Sequence, residues 1–236
     1  MIYRLYNNNM KTTKVVTSIL AFVAAAATVT SVHADSHGSN LTGSASVGFA
    51  NENYYRGADL GDDTIRAEVE ASTDLNGIGV FGSVVTDQSI DGGADQYYIS
   101  AGVASKLFED SVSFSGGYLH RENVPGAAVG ELFASFGLGT TLSPTGTFYY
   151  DLEDELWTVE LGLNHKIDLE VAQLCLHGLL GETEATATVD RTYWVAGAKL
   201  TKSVTDNADA VVGLDYVDAD GAEDDLVFTA GLTFKF

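Results

Sequence analysis

The chain holds one cysteine, Cys175, and two prolines, Pro125 and Pro144, in 236 residues. A single thiol excludes an intrachain disulfide. So few prolines exclude a proline-rich stalk and suit long paired strands. Bases are scarce as well: 12 Lys and Arg stand against 33 Asp and Glu. A surface of that sign repels phosphate backbones, which excludes nucleic acid as a partner. After the N-terminus no run of eighteen apolar residues occurs, although mean hydropathy is +0.07. That excludes a transmembrane helix in the remainder of the chain. What the sequence has instead is 25 glycines and apolar residues at every second position.

Residues 1–34 read as a targeting segment. Lys11 and Lys14 follow Met10, an apolar run extends from Ile19 to Ala27, and small residues close it at Val32-His33-Ala34. This is the order of a secretory signal peptide cleaved before Asp35. Met10 is the more natural start, with residues 1–9 as an extension. No cysteine lies near the cleavage point, so a lipoprotein signal is excluded. Removal takes away Arg4, Lys11 and Lys14 and no acid. The mature chain, 35–236, then keeps 9 bases against 33 acids, a formal charge of −24.

The most regular stretch is the last. Leu226, Phe228, Ala230, Leu232, Phe234 and Phe236 alternate with Val227, Thr229, Gly231, Thr233 and Lys235. Period two over eleven residues predicts a strand with one oily and one wetter face. A soluble edge strand of this kind would be a template for aggregation. A closed barrel in a membrane removes the hazard, because the last strand pairs with the first and its oily face meets lipid. About twelve such segments are expected, at 44–55, 64–73, 78–86, 96–105, 111–121, 131–140, 145–152, 156–166, 169–180, 192–201, 208–217 and 226–236. The expected fold is therefore all-β, a closed antiparallel up-and-down transmembrane barrel of about 12 strands.

Connections add an orientation. Those at 74–77, 106–110, 141–146, 166–168 and 202–207 read as short. Those at 57–63, 87–95, 122–130, 181–190 and 218–225 read as longer and acidic, with 153–155 a brief exception. Short and long connections mostly alternate, as inner turns and outer loops of a barrel would. Aromatics near strand ends, Tyr54, Tyr55, Tyr97, Trp157, Trp194, Tyr216 and Phe236, are expected to form interfacial girdles.

The segment Ser44-Ala45-Ser46-Val47-Gly48-Phe49-Ala50-Asn51-Glu52-Asn53-Tyr54-Tyr55-Arg56-Gly57 resembles the opening strand of the TorF-type (Gcw_chp-type) porin family of Gram-negative bacteria. In that family the first strand ends in an aromatic followed by Arg-Gly, matched here by Tyr55-Arg56-Gly57. Asn53 departs from the family's tyrosine three residues before the arginine. Gly130–Phe136, Thr147–Leu152 and Trp157–Leu163 are similar to related outer-membrane sequences. The resemblance implies a cell outer-membrane porin. Its partners would be lipid, lipopolysaccharide and small solutes or ions.

Arg56, Arg66, Glu68, Glu70, Glu131, Glu160, Lys199 and Lys235 fall on the expected inward faces. As pore-lining residues they would set a field that selects ions. As a salt-bridge network they would plug the barrel instead. Barrels of ~8 strands are filled and those of ~16–18 leave a channel, so ~12 decides neither. The acidic stretch 218–225 has no EF-hand spacing, since Tyr216 and Val227 would occupy ligand positions. His37, His120, His165 and His177 lack close metal-ligand spacing. His120 with Ser113 or Ser115 is the nearest offer of a hydrolytic pair. No catalytic, metal or cofactor site is expected.

Overall fold

The computed structural model describes residues 41–108, 111–124, 126, 128–186 and 188–236. The expected signal peptide, 1–34, lies outside the described residues. The strands are β1 (Thr42–Tyr55), β2 (Ala58–Leu75), β3 (Ile78–Ser89), β4 (Asp95–Leu107), β5 (Val112–Val124) and β6 (Ala128–Leu138). They continue as β7 (Thr145–Asp151), β8 (Trp157–Asp168), β9 (Gln173–Thr186), β10 (Val189–Thr205), β11 (Ala208–Ala219) and β12 (Asp225–Lys235). Each pairs with its chain neighbours and β12 returns to β1, closing an antiparallel up-and-down barrel.

Register sorts the side chains. Ser44, Ser46 and Gly48 of β1 stand opposite Glu70, Glu68 and Arg66 of β2, and opposite Lys235, Thr233 and Gly231 of β12. These face inward. Val47 and Phe49, with Leu232 and Ala230 across the seam, face outward. Burial is inverted relative to a soluble sheet: Ile99 and Leu161 are 53% and 57% exposed, whereas Gln96 and Glu131 are 0% and 2%. An outer surface of leucine, valine and phenylalanine on every strand fits a hydrocarbon solvent and no aqueous one. The chain end completes the seam. Gly43 and Phe236 exchange backbone bonds of 3.0 and 3.1 Å. The Phe236 ring lies over Gly43, where a Cβ would come within 2.6 Å of it.

The connections correct the sequence reading. The stretches 57–63 and 181–190 are mostly strand, since β2 begins at Ala58 and β9 and β10 meet between Thr186 and Val189. The turn expected at 166–168 lies within β8, and β9 starts only at Gln173. Cross-strand pairing overrides the low strand propensity of the acidic residues there. The loops of the two ends therefore do not differ in length as expected, but their charge does differ. Lys106, Lys166, Lys199, Lys202 and Lys235 all lie in the half nearest Thr42 and Phe236. The other rim carries Asp91, Asp95, Glu153, Asp154, Glu155 and the acids of 218–225. There Trp194 donates to Asp218 at 3.1 Å, and Tyr216 donates to Asp224 at 2.5 Å. The Tyr216 hydroxyl holds the Asp224 carboxyl below its usual range.

One hairpin leaves the wall. β1 pairs with β12 only from Ser44 to Ala50, and β2 meets β3 only from Thr64 onward. Residues 51–63 pair with each other, with an irregularity between Glu52 and Tyr54, and form a tongue. At its base the Asn51 side chain replaces the lost ladder. Its amide donates to Leu226 O at 3.2 Å, and its oxygen accepts from Phe228 N. Asn51→Ala leaves both backbone groups without that partner, at a cost of ~1–3 kcal/mol for the bonds lost. Amide exchange at Phe228 is expected to accelerate while exchange at Leu232 stays unchanged.

Candidate functional site

The tongue points into the lumen. Its turn at Arg56-Gly57 has φ of 49° and 71°, the left-handed region a tight hairpin requires. A Cβ on Gly57 would lie 2.7 Å from Tyr193 Cβ and 2.9 Å from Ala219 Cβ, so only glycine passes against β10 and β11. Tyr55 meets the Tyr98 ring of β4 at 5.7 Å, and the Arg121 guanidinium of β5 lies 4.6 Å from the Tyr55 centroid.

Arg56 reaches the far wall. Its two terminal nitrogens donate to the Glu131 carboxylate of β6 at 3.0 and 2.6 Å, a bidentate pair. The same guanidinium stands 4.0 Å over the Tyr149 ring of β7 and 3.4 Å from Thr158 Oγ1 of β8. Side-chain exposures of 12% and 3% for Arg56 and Glu131 put the pair out of bulk water. The tip thus touches β4 to β8 on one side and β10 and β11 on the other. It spans the lumen at that level, beside a space of about 280 Å³ lined by Leu119, Leu179, Val195 and Val217. Tyr54 and Tyr55, expected in an interfacial girdle, belong to the tongue instead: Tyr54 donates to Asp225, and Tyr55 is turned inward.

The eight sequence-derived positions fall into two groups. Arg56, Glu131 and Glu160 are in the plug, where Glu160 accepts the Tyr193 hydroxyl at 2.5 Å. Arg66, Glu68, Glu70, Lys199 and Lys235 lie nearer the chain ends. There a chamber of about 710 Å³ is lined by Ser44, Glu68, Glu70, Phe81, Ser83, Ser100 and Lys235. A second space of about 450 Å³ adds Arg66, Lys199 and Asp209. Arg66 bonds Asp87 at 3.2 Å and stands 3.7 Å from Glu68. Ser44 donates to Glu70 at 2.9 Å, and Lys235 pairs with Asp209 at 2.5 Å. On the acidic side of the tongue a vestibule of about 270 Å³ collects Arg56, Arg121, Arg191, Glu131, Asp151 and Glu184.

Sequence reasoning missed the tyrosines of the plug, and Asp87, Arg121 and the 2.7 Å His177–Asp215 pair. One signal was available. Tyr98, Tyr149 and Tyr193 stand on the wet face of their strands, where a water-filled lumen has no use for large rings. His120 pairs in register with Ile99 and Gly130 on the outward face, whereas Ser113 and Ser115 point inward, so the hydrolytic pair does not converge. No group of three or more metal-ligating side chains occurs among the described residues.

No protein-family profile and no curated protein matches the chain. Solved structures do. A KdgM porin superposes with TM-score 0.57 at 13% identity, over 82% of this chain and 99% of that one. The fold is that of outer-membrane β-barrels. A NanC porin gives 0.55 at 14%, over 81% and 100%. An outer-membrane channel from Pseudomonas putida F1 gives 0.57 at 10%, over 85% and 96%. At such identities the likeness carries architecture alone.

Proposed function

We propose that the chain is a passive outer-membrane channel for small hydrophilic solutes or ions, exported by a signal peptide at 1–34 and belonging to the TorF-type porins. The observation that carries this reading is the inverted barrel, apolar outside and lined within by hydroxyls and carboxylates around a chamber of about 710 Å³. Lipid and lipopolysaccharide surround it, and it performs no bond chemistry. Glu68 and Glu70 give the chamber a negative lining, which attracts cations and repels anions. One porin of the same fold was solved with disordered oligogalacturonate. The carboxylates here oppose a polyanion of that kind and favour cationic or neutral solutes.

Glu68→Gln with Glu70→Gln is expected to lower the cation/anion permeability ratio by about twofold or more. Reversal potential across a salt gradient measures it, and an unchanged ratio removes these residues from selectivity. The Arg56–Glu131 plug favours a second reading, a non-conducting structural or adhesion barrel with acidic external connections. That reading expects a heat-modifiable, membrane-inserted and electrically silent protein.

A further inference from the structure

The wall of the barrel is incomplete where the tongue departs. β12 continues past Thr229 to Asp225, paired there with β11, but β1 no longer lies on its other edge. The two groups taken by the Asn51 side chain, Phe228 N–H and Leu226 C=O, are those that face the missing strand. Continuing the register of Ala50 opposite Thr229 sets Asn51 against Phe228 and Asn53 against Leu226. In that arrangement the backbone of Asn51 and Asn53 would bond the same two groups. Among the described residues no strand pairs with that edge of β12, and the place fits the first strand of the tongue, with its two groups satisfied by the Asn51 amide.

The inward position is held differently. Its bonds run through side chains: Arg56 to Glu131, Tyr54 to Asp225, and rings against rings. It is also less fully bonded, since Tyr55 Oη and Arg121 Nε are buried with no hydrogen-bond partner among the described residues. Asp63, at the base of the returning strand, has φ of 22°, and Gly61 has 116°, so the backbone bends there as well.

Resting on the channel reading, we infer that residues 51–63 form a gate. The tongue swings about Asn51 and the 61–63 bend, adds β1 to the vacant edge of β12 and unblocks the lumen. The Arg56–Glu131 pair is its latch. A plug and a wall strand made from one segment give two discrete states, as switching requires.

The test is single-channel recording of the full-length mature protein in planar bilayers. In a Cys175→Ser background, Asn53→Cys with Leu226→Cys should cross-link across the continued ladder, whose hydrogen-bonded Cα spacing of ~5.5 Å suits a disulfide. Steady current when oxidised, returning to brief openings on reduction, is the expected result. Arg56→Gln alone should raise the open fraction by about tenfold or more. Failure of the cross-link to form, or a cross-link without current, overturns the gate. A tongueless variant, Asn51 joined to Thr64 through a two-residue turn, separates the two hypotheses. If it conducts while Arg56→Gln behaves as wild type, the gate fails and the channel stands. If it inserts and stays silent, the channel reading fails and the gate with it.

Discussion

Leu161→Arg is expected to lower the unfolding free energy of the bilayer-inserted barrel by ~2–4 kcal/mol, the cost of an arginine on the lipid face near the midplane. Leu161 lies near the centre of β8, stands opposite Leu180 of β9 and is 57% exposed. In a soluble protein a charge at so open a position would be neutral. The inward Ser46→Arg is the control. It faces the chamber beside Glu68, which can pair with it, so its cost should stay below ~1 kcal/mol. Urea titration followed through Trp157 and Trp194, the two tryptophans, reads both. Equal effects for the two variants would deny the inside-out assignment.

Glu131→Ala is expected to release the tongue without unfolding the barrel. Removing one partner of a buried ion pair costs ~3–5 kcal/mol, because the other charge is left without compensation. Arg56, with 12% side-chain exposure, would be that charge. Here the cost has an outlet, since the tongue can leave the lumen and hydrate the guanidinium. Rapid exchange should therefore appear at amides 52–62 while the β5–β6 and β6–β7 ladders remain protected. Arg56→Ala with Glu131→Ala should disturb the tongue less than either single change, because no orphan charge remains. Exchange that spreads through β6 would make the pair a structural staple of the wall.

The fold was legible because the lipid face imposes a strict alternation that a loop cannot imitate. The terminal segment 226–236 coincides with β12 within one residue, and 64–73 lies inside β2. Strand ends were less legible. Asp59, Asp62, Glu182 and Glu184 read as loop by composition, yet neighbouring strands supply partners that extend the ladder. The inward face followed from parity and needed no distances. What parity cannot show is that one hairpin abandons the wall. Tyr55-Arg56-Gly57 would read the same in a rim turn as in a lumen plug. The difference is set by Glu131, Tyr149 and Tyr193, which are 75 to 137 positions away in the chain.

On the channel reading, the acidic rim would act before any solute reaches the chamber. Carboxylates at Asp91, Asp95, Glu153, Asp154, Glu155 and 218–225 surround one mouth, and the lysines sit in the opposite half. Their summed field steers diffusing cations toward the mouth and deflects anions. The encounter rate of a cationic solute therefore falls as ionic strength rises and the Debye length shrinks from ~30 Å at 0.01 M to ~8 Å at 0.15 M. Current per opening and encounter frequency then respond to different residues. Dilution of salt alters how often a solute arrives, whatever position the tongue holds.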